Sequence, residues 1–234
     1  MLKTMRVNVF VNCVDSSLLK SDVVIVVDVL RSSTTIITAL ANGAEKIIPV
    51  STVEEAFRIG RGDNVVIGGE VNSVKPYSFH FGNSPLEYVP DRVRGKTIVL
   101  YTSSGARLLR FLTILSKMVL IGALINLSAL VEYLTEQGFN EISIVTAGKM
   151  GQPTLEDSYC AGLIARMLPC SDFNENAKIA IRISELSVEV IKNAHHAVEL
   201  TILGLEKDVE YSLSIDKVKA LACLDPSTGY IRLL

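Results

Sequence analysis

Val23-Val24-Ile25-Val26-Val27 is a run of five consecutive β-branched apolar residues, closed by Asp28. A strand with one wet face alternates apolar and polar residues, so a run that is apolar at every position has to be covered on both faces. The same grammar recurs along the chain. Short apolar runs at 6–11, 46–50, 64–69, 96–101, 118–122 and 141–147, then 218–224 and 229–234, alternate with segments of helical period. Those helical segments lie at 32–42, 52–60, 104–115, 126–138 and 154–168, followed by a largely helical stretch over about 175–213. The order β-α-β-α predicts an α/β fold, a mostly parallel sheet with helices on both faces in three layers. One domain over residues 1–234 is expected, and the more charged tail from about residue 170 reads as a smaller α+β subdomain.

An apolar fraction of 49% and a mean hydropathy of +0.37 raise the question of a membrane segment. The most apolar region, 111–134, is interrupted by Lys117, Gly122 and Asn126, whereas a spanning helix needs about 20 nearly unbroken apolar residues. It reads as a strand followed by a helix, so no membrane partner is expected. The first residues, "MLKTMRVNVFVNC", lack a signal-peptide core with a small-residue cleavage site. Cys13, Cys160, Cys170 and Cys223 show no C-x-x-C pair and no zinc spacing, which fits reduced, mostly buried thiols in a cytoplasmic protein. Twenty-three basic and 25 acidic residues, dispersed, give a net charge of −2; no nucleic-acid partner is expected.

Ligands of parallel sheets gather beyond the carboxyl ends of strands. Those ends carry an unusual set of residues. The run 23–27 delivers Asp28, then Arg31 and the hydroxyl series Ser32-Ser33-Thr34-Thr35; the run 64–69 delivers Glu70. The run 96–101 leads to Thr102-Ser103-Ser104-Gly105 with Arg107 beyond, the run 118–122 to Asn126, and the run 141–147 to Lys149 and the pair Glu156-Asp157. Hydroxyl- and glycine-rich turns that open helices are anion sites. Several carboxylates at the same edge favour a hard cation such as Mg²⁺, and the two together suggest phosphate chemistry. Each residue also has an ordinary explanation: Asp28 as a helix cap, Glu70 as a turn acid, Glu156-Asp157 as complements to a helix dipole, Arg31 and Arg107 as surface cations. His195-His196 reads as a solvated helix pair. These explanations do not predict that so many fall at strand ends. No Walker loop, dinucleotide fingerprint or nucleophile elbow is present.

"DVLRSSTTIITALANGA" (28–44), "GGE" (68–70), "FGNSP" (81–85), "TSSGARLL" (102–109) and "TAGKMGQPTLEDSYCAGLI" (146–164) resemble, in order, motifs of the 2-phosphosulfolactate phosphatase family. The resemblance covers roughly the first 165 residues, with a looser echo at 203–216. It implies an α/β phosphatase that uses Mg²⁺ to hydrolyse the phosphate ester of an acidic three-carbon sulfonate in coenzyme M biosynthesis. Asp28, Glu70, Glu156 and Asp157 are then the expected metal ligands, and Asp28, Arg31 and Glu70 the catalytic group. Ser32, Ser33, Asn83, Ser84, Ser103, Ser104, Gly105, Arg107 and Asn126 are expected to hold a phosphate ester carrying a further acidic group. Attack on phosphorus by a metal-activated water is the expected route, with a covalent intermediate on Asp28 as the alternative. A homodimer is the expected assembly. The turns after Thr102 and Glu70 depart from the family pattern, so a phosphatase of divergent specificity, or a non-catalytic binding protein for an anionic metabolite, stands as the rival reading.

Overall fold

A computed structural model describes residues 5–11, 20–102, 108, 109, 112 and 116–234. The apolar runs form a ten-stranded sheet: β1 Arg6–Val11, β2 Val23–Val27, β3 Lys46–Val50, β4 Val65–Gly69, β5 Thr97–Tyr101, β6 Val119–Gly122, β7 Glu141–Thr146, β8 Asp172–Phe173, β9 Ala222–Asp225 and β10 Tyr230–Leu233. Helices α1 Ser32–Ala41, α2 Val53–Ile59, α3 Pro90–Val93, α4 Leu127–Gln137 and α5 Leu155–Met167 separate them. The expected helical tail is four short helices, α6 Glu175–Ile183, α7 Val188–Lys192, α8 His195–Ile202 and α9 Glu206–Ser212. The helix read at 104–115 falls mostly outside the described residues. Among the described residues no helix is long and apolar enough to cross a membrane.

The unbroken apolar run behaves as its pattern requires. Val23, Ile25 and Val27 join one hydrophobic cluster, and Val24 and Val26 join the other. All five are buried, which places β2 between two apolar layers. Helices α4 and α5 contribute to the first cluster and α1 to the second. Nine of the ten residues of α1 are buried although its first turns are hydroxyl-rich. Those hydroxyls are paired with backbone carbonyls: Thr34 Oγ1 donates to Val29 O, Thr35 Oγ1 to Asn83 O and Thr38 Oγ1 to Thr34 O, each at 2.8 Å. Most buried polar groups in folded proteins are paired in this way. Where α5 crosses α6, Gly162 lets the helices touch, because a Cβ there would strike the carbonyl of Ala180.

The strand order is β4-β5-β3-β10-β9-β6-β2-β7-β1-β8. Pairs on each side are parallel, but the β9–β10 hairpin enters the middle with three antiparallel contacts. β6, β2, β7, β1 and β8 therefore run opposite to β3, β5 and β4. The sheet is mostly parallel as expected, yet the strand ends do not share one edge of a single parallel sheet. The ends of β2 and β4, six steps apart in that order, nonetheless meet at one cavity. The tail belongs to the same sheet, since β8 flanks β1 and β9–β10 join its two halves.

Candidate active site

The cavity of about 310 Å³ at the ends of β2, β4 and β7 is lined by residues from five parts of the chain. Asp28, Leu30, Arg31 and Ser32 come from the turn after β2, where the Leu30–Arg31 peptide is cis. That turn is held reciprocally. Ser32 N–H donates to Asp28 Oδ1 at 3.2 Å, Asp28 N–H donates to Ser33 Oγ at 3.0 Å, and Ser33 N–H donates to Asp28 O at 2.8 Å. The cap reading of Asp28 thus holds for Oδ1, and the carboxylate also faces the cavity. Burial pushes this carboxyl above its ordinary range, and the negative Glu70 adds to the rise.

Glu70 sits one residue beyond Gly69, whose φ of +134° and contact with Tyr101 O leave no room for a Cβ. The chain then turns through Asn72 and Ser73, both with positive φ (50° and 67°), and closes with two hydrogen bonds between Val71 and Val74. Positive φ at both central residues is the signature of a type I′ turn, for which Asn is well suited. The turn gives Ser73 N–H to Glu70 Oε2 at 2.6 Å and Ser73 O to Arg31 at 2.9 Å. A second tight turn of the same kind, with Met150 and Gly151 at positive φ, follows β7 and brings Lys149 to the opposite wall.

Arg31 is a buried cation here, not a surface one. Its Nη1 lies 2.7 Å from Asp208 Oδ2, and each side chain is 4% exposed. Asp208 Oδ1 accepts from Ser84 Oγ at 2.6 Å, so Ser84 acts behind the arginine and does not line the cavity. Asn83 does line it, and its Oδ1 is buried with no hydrogen-bond partner.

The four expected carboxylates divide. Asp28 and Glu70 face the cavity. Asp157 lies beneath: Oδ1 accepts from Val29 N–H at 2.8 Å and Oδ2 from Gly148 N–H at 3.0 Å, tying the β2 turn to the β7 turn. Burial, reinforced by Asp28 and Glu156, pushes its carboxyl well above the usual range. Glu156 is 1% exposed and bonds to His196 Nδ1 at 2.7 Å. Among the described residues no three His, Cys, Asp or Glu side chains are grouped to hold a metal ion. Asn126 is buried away from the cavity, its amide satisfied by backbone groups of Ala123, Ile121 and Ala220. Ser103, Ser104, Gly105 and Arg107 lie outside the described residues.

Three site groups come from the tail and were not expected: His196, Glu199 and Asp208. The solvated-pair reading of His195-His196 is corrected, since only His195 is exposed while His196 lines the cavity. Glu199 meets Lys149 at 2.6 Å, which holds its carboxyl below the usual range. The helical period carried the signal. His196 and Leu200 share a face of α8, and Asp208 shares one of α9 with Ser212, so a polar side chain falls on a buried stripe in each case.

Comparison with known proteins gives matches along most of the chain. The family model described as 2-phosphosulpholactate phosphatase matches residues 11–226. A protein of Thermotoga petrophila named "Probable 2-phosphosulfolactate phosphatase" is 41% identical over 204 residues, 86% of this chain and 88% of that one. Proteins of the same name from Clostridium perfringens and Clostridium acetobutylicum are 37% and 34% identical over 220 and 209 residues, covering 88% and 86% of this chain and 88% of each of those.

Proposed function

The chain belongs to the 2-phosphosulfolactate phosphatase family, and on that premise we propose that this phosphoric monoester hydrolase uses Mg²⁺ to hydrolyse 2-phosphosulfolactate, or a related acidic phosphate ester. Sulfolactate and phosphate would be the products, within coenzyme M biosynthesis. The observation that carries the reading is that two carboxylates, Asp28 and Glu70, and a buried arginine, Arg31, line one cavity.

Mg²⁺ takes oxygen ligands and is held by one or two carboxylates together with waters and substrate phosphate. Asp28 and Glu70 supply two carboxylates, and the unpartnered Asn83 Oδ1 a third oxygen from the same lining. The residues fit the ion on that count. Bound there, it would neutralise charge on the phosphoryl oxygens and lower the pKa of a water molecule. Asp28, whose carboxyl is raised by burial, ionises more readily with a cation beside it. Arg31 has five N–H donors; Asp208 and Ser73 engage two of its nitrogens, and its remaining donors can take oxygens of the substrate. The α1 N-terminus with Ser32 adds positive potential on the same side. Lys149, paired with Glu199 at the rim, is placed for the second acidic group.

The test is phosphate release from 2-phosphosulfolactate, 2-phospholactate and glycerol phosphate with Mg²⁺ present. A charge-assisted contact contributes about 1.5–3 kcal/mol, so the two acidic esters should exceed glycerol phosphate in kcat/KM by at least about tenfold. Equal values for all three would refute the acidic-ester assignment.

A further inference from the structure

A second cavity, of about 490 Å³, adjoins the first. Lys149, Met150, His196 and Glu199 line both, so single side chains divide the two spaces. The chemistry changes across that divide. Pro153, Leu155 and Ala194, with the body of Met150, make the second cavity largely apolar. Two polar atoms in its lining have no hydrogen-bond partner, Glu156 Oε2 and Thr154 Oγ1. Glu156 is 1% exposed, and His196 occupies only its Oε1. A buried carboxylate oxygen without a donor is costly, and a ligand that brings a donor removes that cost.

A cavity of about 310 Å³ is at the lower end of the range for ligand sites. It suits a three-carbon ester and leaves the second space without a use. We infer that the second cavity receives the alcohol portion of the substrate, which carries beyond its phosphate and acidic group an apolar chain of a few carbons ending in a hydroxyl. The chain packs on Leu155, Pro153 and Ala194, and the terminal hydroxyl donates to Glu156 Oε2 and accepts from Thr154 Oγ1. The bond cleaved is the same P–O bond, with water as the other reactant. The inference rests on the phosphatase reading of the first cavity, and among the acidic esters of that reading it selects longer ones than 2-phosphosulfolactate, which has no such chain.

The experiment compares 2-phospholactate with the phosphate monoester of 2,6-dihydroxyhexanoate at its 2-hydroxyl, in the Mg²⁺-loaded full chain. Variants are Ala194→Trp, which fills the second cavity, and Thr154→Val, which removes one polar partner with little change in volume. Phosphate release reads turnover, and calorimetric titration of the same two esters reads the contribution of the chain whether or not turnover occurs. The long ester should exceed phospholactate in kcat/KM and in affinity by at least about tenfold. Ala194→Trp should erase that preference while leaving phospholactate within about twofold of wild type, and Thr154→Val should reduce it severalfold. Equal binding of both esters overturns the inference, as does a preference that survives both variants. Activation of phospholactate turnover by free 1,4-butanediol, with no preference for the long ester, assigns the cavity to a separate ligand and overturns it too. If neither ester releases phosphate, the phosphatase reading fails, and the calorimetric difference still decides the second cavity.

Discussion

Replacing Asp208 by Ala leaves Arg31 as a buried charge without its counter-ion. Both side chains are 4% exposed and their contact is 2.7 Å, so solvent screens the loss poorly. Removing one partner of a buried pair costs about 3–5 kcal/mol. For a chain of this size 1 kcal/mol moves Tm by about 2–4 °C, so the midpoint should fall by roughly 6–20 °C. Urea denaturation should show the same loss at nearly unchanged m. The decisive companion is Arg31→Met/Asp208→Leu. Apolar replacement of both members of a buried pair is often neutral or stabilising, so the double variant should regain most of the lost stability. Its phosphatase activity should stay lost, because the guanidinium that meets the substrate anion is gone. A loss below about 0.5 kcal/mol in Asp208→Ala would refute the reasoning, as would a double variant that keeps near-normal turnover.

Asp28→Asn keeps the shape and the bond to Ser32 N–H but removes the charge; kcat/KM should drop at least about a hundredfold with Tm unchanged within a few degrees, and near-normal turnover would reduce Asp28 to a cap. Gly69→Ala places a methyl group against Tyr101 O at a φ of +134°. It should lower both stability and activity, since it moves Glu70, and a silent substitution would show that this turn does not set Glu70. Asp22 accepts from the N–H groups of Asn140 and Glu141 at 2.7 and 3.2 Å, which lowers its carboxyl in the folded state. A depressed folded value means that its stabilisation is present above the unfolded value of about 4 and is lost as pH falls through the folded value. Asp22→Asn should therefore flatten the acid limb of a stability–pH curve below about pH 4, and an unchanged limb would count against the assignment.

The apolar runs of β2 and β4 to β7 were legible because those strands are short and buried at nearly every position, so composition alone marks them. β2 to β7 begin and end within one or two residues of their apolar runs. The opposed halves of the sheet were not legible. They depend on β9 and β10, contributed by the last residues of the chain, entering between β3 and β6, and pairing partners leave no local trace. Asp28, Arg31 and Glu70 could be found because strand ends and tight turns have their own residue preferences, and Asn83 because it lies in a segment that resembles the family. Asp208 and His196 were missed because a polar side chain on a short helix looks like a surface group until its partner is known, and the helical period is a weak signal over so few residues. Arg31 and Glu156, the partners in question, lie 177 and 40 residues away. Asp157 fell on the right turn, yet sequence cannot distinguish a carboxylate that faces a ligand from one that accepts two backbone N–H groups beneath it.

The central claim is that Asp28 and Glu70 hold a divalent cation in the cavity that Arg31 also lines. Titration of Mn²⁺, as a paramagnetic substitute for Mg²⁺, into wild type, Asp28→Asn and Glu70→Gln, followed by electron paramagnetic resonance, tests it most directly. One site per chain is predicted in wild type, weakened at least about tenfold in each variant, with phosphate release abolished by EDTA and restored by Mg²⁺. Equal Mn²⁺ affinity in all three proteins, or full turnover in EDTA, would contradict the account.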